Sequence, residues 1–281
     1  MQGKHVVITG ATDGIGKVTA RQLLSRGADL TIISRNPEKL KKVAEELALA
    51  TQKPAPRTFV ADLSLPSEIR RVAGEVMQAL PHIHVLINNA GAYFAEREVN
   101  AAGLEMTFGL NHVNYFLLTH HLLPHLKKAA GARIVSVSSD AHYGCELDLD
   151  DLQGEKSFKG WRAYQRSKLC NILFTRELSE RLKGSGVSAN CLHPGFVASK
   201  FGHNNKGWLN PLIKVGQTIF AISPEKGAET SVYLATAPEV AKVTGRYFSN
   251  CREKEVSRQA QDSQVQKRLW LETEKLLAAY L

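Results

Sequence analysis

The sequence predicts an α/β fold: a single domain over residues 1–281 built on a doubly wound parallel sheet, with helices on both faces. Short apolar, β-branched runs recur along the chain, and each is followed by a longer stretch of helical periodicity. That alternation gives a parallel sheet with right-handed crossovers. The runs are apolar almost throughout, as strands covered on both sides must be. No linker, repeat or low-complexity segment divides the 281 residues, a length that can bury a sizeable core.

Lys4–Thr9 (Lys-His-Val-Val-Ile-Thr) is the first such run, and Gly10-Ala11-Thr12-Asp13-Gly14-Ile15-Gly16 follows at once, opening a helical pattern that reaches Arg26. Strand, glycine-rich turn and helix together aim backbone N–H groups and a positive helix end at an anion such as a pyrophosphate. The glycines permit close approach. Their spacing departs from Gly-x-Gly-x-x-Gly, so the generic dinucleotide fingerprint is matched only loosely.

A second strand, Asp29–Ser34, ends at Arg35-Asn36-Pro37. An acid at this position reads a ribose 2′-hydroxyl, whereas an arginine accepts a 2′-phosphate. Arg35 therefore points to NADP over NAD, the alternative being a loop arginine in water, and Asp13 in the turn weighs against it. A helix over 37–51, a strand over 57–61, a helix over 66–80 and a strand over 83–88 continue the alternation. Asp62-Leu63 and Asn88-Asn89-Ala90-Gly91 then lie at carboxyl ends of strands, where open α/β sheets bind ligands.

A helical stretch over about 101–130, bent near Pro124, contains Asn111, a residue unfavourable in mid-helix unless it faces something. His121 and His125 are spaced like metal ligands, but no third ligand accompanies them, and no metal site is predicted. The strand Arg133–Ser138 delivers Ser139. A polar insert, 140–160, reads as a solvated loop, its acids lacking cation-site spacing.

The helical pattern from Trp161 to about Lys183 puts Tyr164 and Lys168 on one face, four residues apart. A neighbouring ammonium favours phenolate, so the pair is a candidate proton-transfer unit. Taken alone, Tyr-x-x-x-Lys also fits an amphipathic tyrosine beside a solvated lysine. A strand over 187–192 leads to His193-Pro194-Gly195-Phe196-Val197-Ala198-Ser199. Residues 200–223 read as a substrate lid, 224–236 as a helix, 245–248 as an edge strand and 265–280 as an amphipathic tail helix.

Composition excludes several classes. The chain is 43% hydrophobic and 22% charged, with a formal charge of +9. That excess is spread evenly between its two halves with no basic block, so nucleic acid is not an expected partner. Four scattered cysteines form no Cys-x-x-Cys pair, and neither zinc nor a disulfide scaffold is expected. There is no signal peptide or transmembrane segment, so a soluble intracellular, cytoplasmic protein is expected.

Thr9-Gly10-x-x-x-Gly14-x-Gly16, Asp62, Asn88-Asn89-Ala90-Gly91, Asn111, Ser139, Tyr164-x-x-x-Lys168 and Pro194-Gly195 occur in this order. Together they resemble the short-chain dehydrogenase/reductase family over nearly the whole chain. Asn111-His112-x-Asn114-Tyr115-Phe116-Leu117-Leu118-Thr119 and Arg166-Ser167-Lys168-Leu169-x-Asn171 look like its retinol dehydrogenase branch. The resemblance implies a Rossmann-type fold and hydride transfer between NADP(H), or NAD(H), and a lipophilic carbonyl or alcohol. It makes Tyr164 the general acid/base, Lys168 the group lowering its pKa and binding the nicotinamide ribose, Ser139 the polariser of the substrate oxygen, and Asn111 the holder of a water. Cofactor contacts fall on Gly10, Thr12, Asp13, Gly14, Ile15, Gly16, Arg35, Asn36, Asp62, Leu63, Asn89, Ala90, Gly91, Tyr164, Lys168, Pro194, Gly195, Val197 and Ser199. Self-association through the Asn111 and Tyr164 helices is a family habit, and a catalytically silent NADP-binding regulator is the alternative function.

Overall fold

Three consecutive residues set out the layering: Val7 belongs to one apolar core, while Val6 and Ile8 belong to another on the opposite side of the sheet. Side chains alternate across a strand, so a strand apolar on both faces needs a helical layer on each. The computed structural model describes residues 1–196 and 222–281. The strands are β1 (His5–Thr9), β2 (Asp29–Ser34), β3 (Arg57–Val60), β4 (Val85–Asn88), β5 (Arg133–Val137), β6 (Ser188–His193), β7 (Tyr247–Ser249) and β8 (Arg252–Glu253). Their order across the sheet is β3-β2-β1-β4-β5-β6-β7-β8. Every neighbouring pair is parallel except β7 with β8. β1 pairs with both β2 and β4, so chain order reverses there and a crevice opens above the carboxyl ends of these strands.

Helices α1 (Gly14–Ser25) and α2 (Pro37–Thr51) cover one face, with α3 (Pro66–Ala79), α4 (Asn114–Lys127) and α5 (Gly160–Arg181) on the other. α6 (Pro224–Thr236) joins the first layer, and the tail helix α7 (Ser263–Leu276) joins the second. Side chains set several helix starts by accepting orphan first-turn N–H groups. Asp13 caps α1, Asn36 caps α2 through the Lys39 N–H at 2.8 Å, and Asp262 caps α7.

The predicted element order stands, and the differences have local causes. The 101–130 helix begins only at Met106, because Asn100 Oδ1 accepts the N–H groups of Ala102 and Leu104 and Gly103 takes φ +78°. Both Glu105 carboxylate oxygens then cap the new start. A π-helical turn (Gly109–Val113) precedes α4, and Pro124 lies within α4 without ending it. The strand near 245 is not at the edge, since the short antiparallel β8 lies outside it.

The insert after β5 is not simply solvated. Its first residues form a 3-10 turn (Asp140–Gly144), and the C-terminal segment is fastened along it. Leu147 N donates to Gln259 Oε1 and Gln259 Nε2 returns to Leu147 O, while Arg268 pairs with Asp150. α7 packs against α5, with Trp270 stacked on Phe174 and lying against Phe116 of α4. Self-association through this face of α4 and α5 would have to displace the chain's own tail. Among the described residues, no helix is long and apolar enough to cross a membrane.

Candidate active site

The glycine turn is fixed by steric necessity. Gly10 has φ +67°, and a Cβ there would stand 2.8 Å from Ala90 Cα. One on Gly16 would stand 2.6 Å from the Gly10 carbonyl oxygen. Neither place admits a side chain, so strand and helix approach closely. Asn89 braces the turn, its Nδ2 donating to Thr9 O at 2.8 Å and to Gly10 O at 3.2 Å. Thr9 Oγ1 in turn accepts the N–H groups of Asn89 and Ala90. The first-turn N–H groups of α1 then face a crevice lined by Gly14, Ile15 and Gly16, an arrangement suited to a phosphate group.

That crevice, about 430 Å³, runs from the glycine turn past Arg35 and Asp62 to Ser139, Tyr164 and Lys168. Arg35 is exposed on its wall. Asp62 curls back on the chain, Oδ1 accepting Ser64 N–H at 2.9 Å and Ser64 Oγ–H at 2.7 Å. Asp13 pairs with Lys39 at 3.6 Å. Gly91 stands beside Asn111 and Lys168, where a Cβ would lie 3.0 Å from Asn111 Oδ1 and 3.6 Å from Lys168 Nζ.

At the far end, α5 presents Tyr164 and Lys168 one turn apart, with Lys168 Nζ 5.5 Å from the phenol ring centroid. Lys168 is 4% exposed and donates to Val137 O at 3.2 Å. Burial pushes its pKa down to about 8, because the charged form loses its hydration. Ser139 hydrogen-bonds the Tyr164 phenol, which lowers the phenol's pKa, but burial is the larger influence and holds it at about 12. Burial and the Ser139 hydrogen bond thus act on the phenol in opposite directions, with the Lys168 ammonium one helical turn away on the same wall. Trp161 stacks on Tyr164 at 5.6 Å, and Tyr93 meets it edge-on at 6.3 Å.

Residues 4–210 match the family model described as short chain dehydrogenase. The chain belongs to this family. Human retinol dehydrogenase 14 is 40% identical, with 96% of this chain and 85% of that protein covered. Human retinol dehydrogenase 11 is 42% identical, with 96% and 84% covered. Among solved structures, a protein from Mycobacterium paratuberculosis is 32% identical, with a TM-score of 0.77 and 99% and 94% of the two chains covered. The Pseudomonas aeruginosa RhlG/NADP active-site complex is 25% identical, with a TM-score of 0.72 and 88% and 94% covered. The short-chain dehydrogenase assignment makes the chain an oxidoreductase of the retinol dehydrogenase-like branch that works by hydride transfer with a nicotinamide cofactor.

Most residues that the sequence singles out converge on the crevice of this short-chain dehydrogenase, and the others have different places. Gly10, Asp13, Gly14, Ile15, Gly16, Arg35, Asp62, Leu63, Asn89, Ala90, Gly91, Ser139, Tyr164, Lys168, Pro194 and Gly195 line it. Thr12 and Asn36 do not: Thr12 Oγ1 lies 3.5 Å from Ser34 Oγ, and Asn36 caps α2. Asn111 is fully buried in the π-helical turn, its side chain engaged with Ala92 N and O and with Ser167 Oγ. Val197, Ser199 and residues 200–221 of the expected lid lie outside the described residues. Tyr143 of the 3-10 turn does not line the crevice; its hydroxyl donates to Glu255 O.

Sequence reasoning missed Ser34, Ser64, Met106, Leu110, Trp161 and His193 on the crevice wall. The position of Ser34 at the end of a strand could have found it. Met106 and Leu110 carried no signal: Met106 lies in the short helical turn that Glu105 caps, and Leu110 in the π-helical turn that follows it.

Proposed function

We propose that the chain is an NADP(H)-dependent oxidoreductase that interconverts a lipophilic carbonyl and its alcohol, with Tyr164 as general acid/base. One observation carries this reading: Ser139 is hydrogen-bonded to the Tyr164 phenol, one helical turn from a buried Lys168, on the wall of a crevice that begins at the glycine turn. The crevice fits a dinucleotide because its floor admits no Cβ at Gly10 or Gly16 and its two ends differ in chemistry. The bound cofactor supplies or accepts the hydride.

Ser139 orients the substrate oxygen, and Tyr164 donates its proton to that oxygen in reduction or takes it back in oxidation. A phenol at about 12 suits the acid role in reduction. Lys168, able to exchange a proton near neutrality, sits where it can return one to Tyr164 and bind a ribose hydroxyl. Met106, Leu110, Trp161 and Phe196 give the substrate end an apolar wall, in keeping with relatives that are named retinol dehydrogenases. Gly14, Ile15 and Gly16 would hold the pyrophosphate, and the Arg35 guanidinium would meet a 2′-phosphate.

The test is a panel of aliphatic, aromatic and polyene aldehydes, each with NADPH and with NADH, followed by nicotinamide absorbance. Turnover with the apolar aldehydes, faster with NADPH, is expected. Absence of turnover across the panel despite tight NADPH binding would instead identify a silent nucleotide-binding protein. Arg35→Asp should lower the NADPH/NADH ratio of kcat/KM by about tenfold or more, and an unchanged ratio removes Arg35 from phosphate recognition.

A further inference from the structure

The residue after Ser139 carries a set of contacts that the proposed reaction does not use. Asp140 Oδ1 accepts the Tyr247 hydroxyl at 2.8 Å, and Oδ2 accepts Lys254 Nζ at 2.8 Å. His193 Nε2 lies 3.4 Å from the same Oδ2, while the Asp140 backbone N–H donates to His193 Nδ1 at 3.2 Å. Both imidazole nitrogens thus face one residue, which fixes the tautomer: Nδ1 accepts and Nε2 carries the hydrogen. A protonated His193 would lose the Nδ1 contact. Burial, the larger influence, lowers its pKa and favours the neutral ring. Burial acts to raise the Asp140 carboxyl, but hydrogen bonds from Lys254 and Tyr247 and the charges of His193 and Lys254 outweigh it.

The three partners come from different walls of the crevice and its surroundings. His193 ends β6 and lines the crevice just before Pro194-Gly195. Tyr247 belongs to β7, and Lys254 follows β8. Among the described residues, the other titratable groups facing Asp140 are His142 and Tyr143 of its own turn. His142 adds a parallel tie, its Nδ1 2.7 Å from Ser139 O and its Nε2 accepting Ser257 N–H at 3.2 Å. Ser139 itself is the N-cap of this turn, Oγ accepting Ala141 N–H at 3.2 Å. The orientation of the Ser139 hydroxyl therefore depends on where the first residue of the turn is held.

We propose that Asp140 is a positioning residue that sets the Ser139 hydroxyl against Tyr164 by latching the 3-10 turn to His193 on one side and to Tyr247 and Lys254 of the C-terminal segment on the other. The inference rests on the role given to Ser139 in the proposed reaction. A single half-exposed ion pair such as Asp140–Lys254 holds little by itself. Here one carboxylate gathers a phenol, an ammonium and an imidazole, and a backbone N–H of the same residue closes the circuit, so the contacts reinforce one another. Losing the carboxylate removes the ties to Tyr247 and Lys254 and leaves the start of the turn held by His142 and the Asp140 backbone N–H, and a shift of about 1 Å at a reacting group costs up to ~10²-fold in rate.

The experiment compares Ser139→Ala, Asp140→Ala, Asp140→Asn and Tyr247→Phe with the wild type. It uses the best aldehyde of the panel for reduction, the corresponding alcohol for oxidation, and NADPH fluorescence titration for cofactor affinity. Asp140→Ala should lower kcat by about tenfold or more while NADPH affinity stays within about twofold. It should also move the acid limb of the oxidation pH profile upward, because the hydrogen bond from Ser139 lowers the Tyr164 pKa. A purely structural role would leave that limb in place. A folded Asp140→Ala protein with wild-type kcat and an unmoved limb overturns the proposal. If that variant does not fold, wild-type values in both Asp140→Asn and Tyr247→Phe overturn it, and a lowered kcat with a raised limb in either supports it. Ser139→Ala separates the two levels. Full activity there sinks the role of Ser139, whereas its loss beside unaffected Asp140 variants sinks only the latch.

Discussion

The glycine turn after β1 and the serine turn after β5 occupy equivalent places, each at the carboxyl end of a strand, yet they are held by different physics. At the glycine turn the backbone is confined by contacts that leave no room for a side chain, as the 2.8 Å approach of a Gly10 Cβ to Ala90 Cα would show. At the serine turn, side chains of Asp140 and His142 reach partners in the C-terminal segment, more than a hundred residues later. A steric turn tolerates one residue type and leaves a legible motif. A polar latch tolerates several pairings and leaves none.

The largest expected effect lies at the catalytic end. Tyr164→Phe should lower kcat by about 10³-fold with NADPH affinity unchanged; activity within a few-fold of wild type would remove Tyr164 from proton transfer. Next comes the electrostatic cost of burying Lys168, whose pKa falls from 10.5 unfolded to about 8 folded. Between those values the unfolded chain binds the extra proton, so stability rises with pH across that window, by up to roughly 3 kcal/mol. Urea unfolding of cofactor-free protein should show this rise, and Lys168→Met should flatten it. A rise of the same size in the variant would assign it to another group.

At the glycine turn the expected loss is one of packing. Gly16→Ala should destabilise by about 2 kcal/mol and weaken NADPH binding, since its methyl would press on the Gly10 carbonyl. Undiminished stability and affinity would mean that the turn yields more readily than its contacts imply. The smallest effect separates two readings of one residue. Asn36→Ala should cost about 1 kcal/mol through the lost α2 cap while leaving the NADPH/NADH preference alone, and a changed preference would return Asn36 to the cofactor.

Much of this protein is legible in one dimension. Helix α2 and helix α6 match their sequence-predicted bounds because proline at the first position and Asn36 or Ser223 at the cap are local signals. Tyr164 and Lys168 are adjacent for an equally local reason, the pitch of a helix. Where prediction went astray, contacts from elsewhere decided. Asn100 and Glu105 redirect the start of the 101–130 segment, and the tail turns an apparently free acidic loop into a strapped one.

The sequence by itself determined the α/β layering, the glycine turn and the Tyr164–Lys168 pair, because each follows from residue type and short spacing. Only the tertiary structure decided that burial governs the Tyr164 pKa, that the Asn111 side chain is engaged by Ala92 and Ser167, and that Asp140 is gripped by His193, Tyr247 and Lys254. Desolvation and long-range hydrogen bonds depend on what the rest of the chain brings alongside, and no local pattern encodes that.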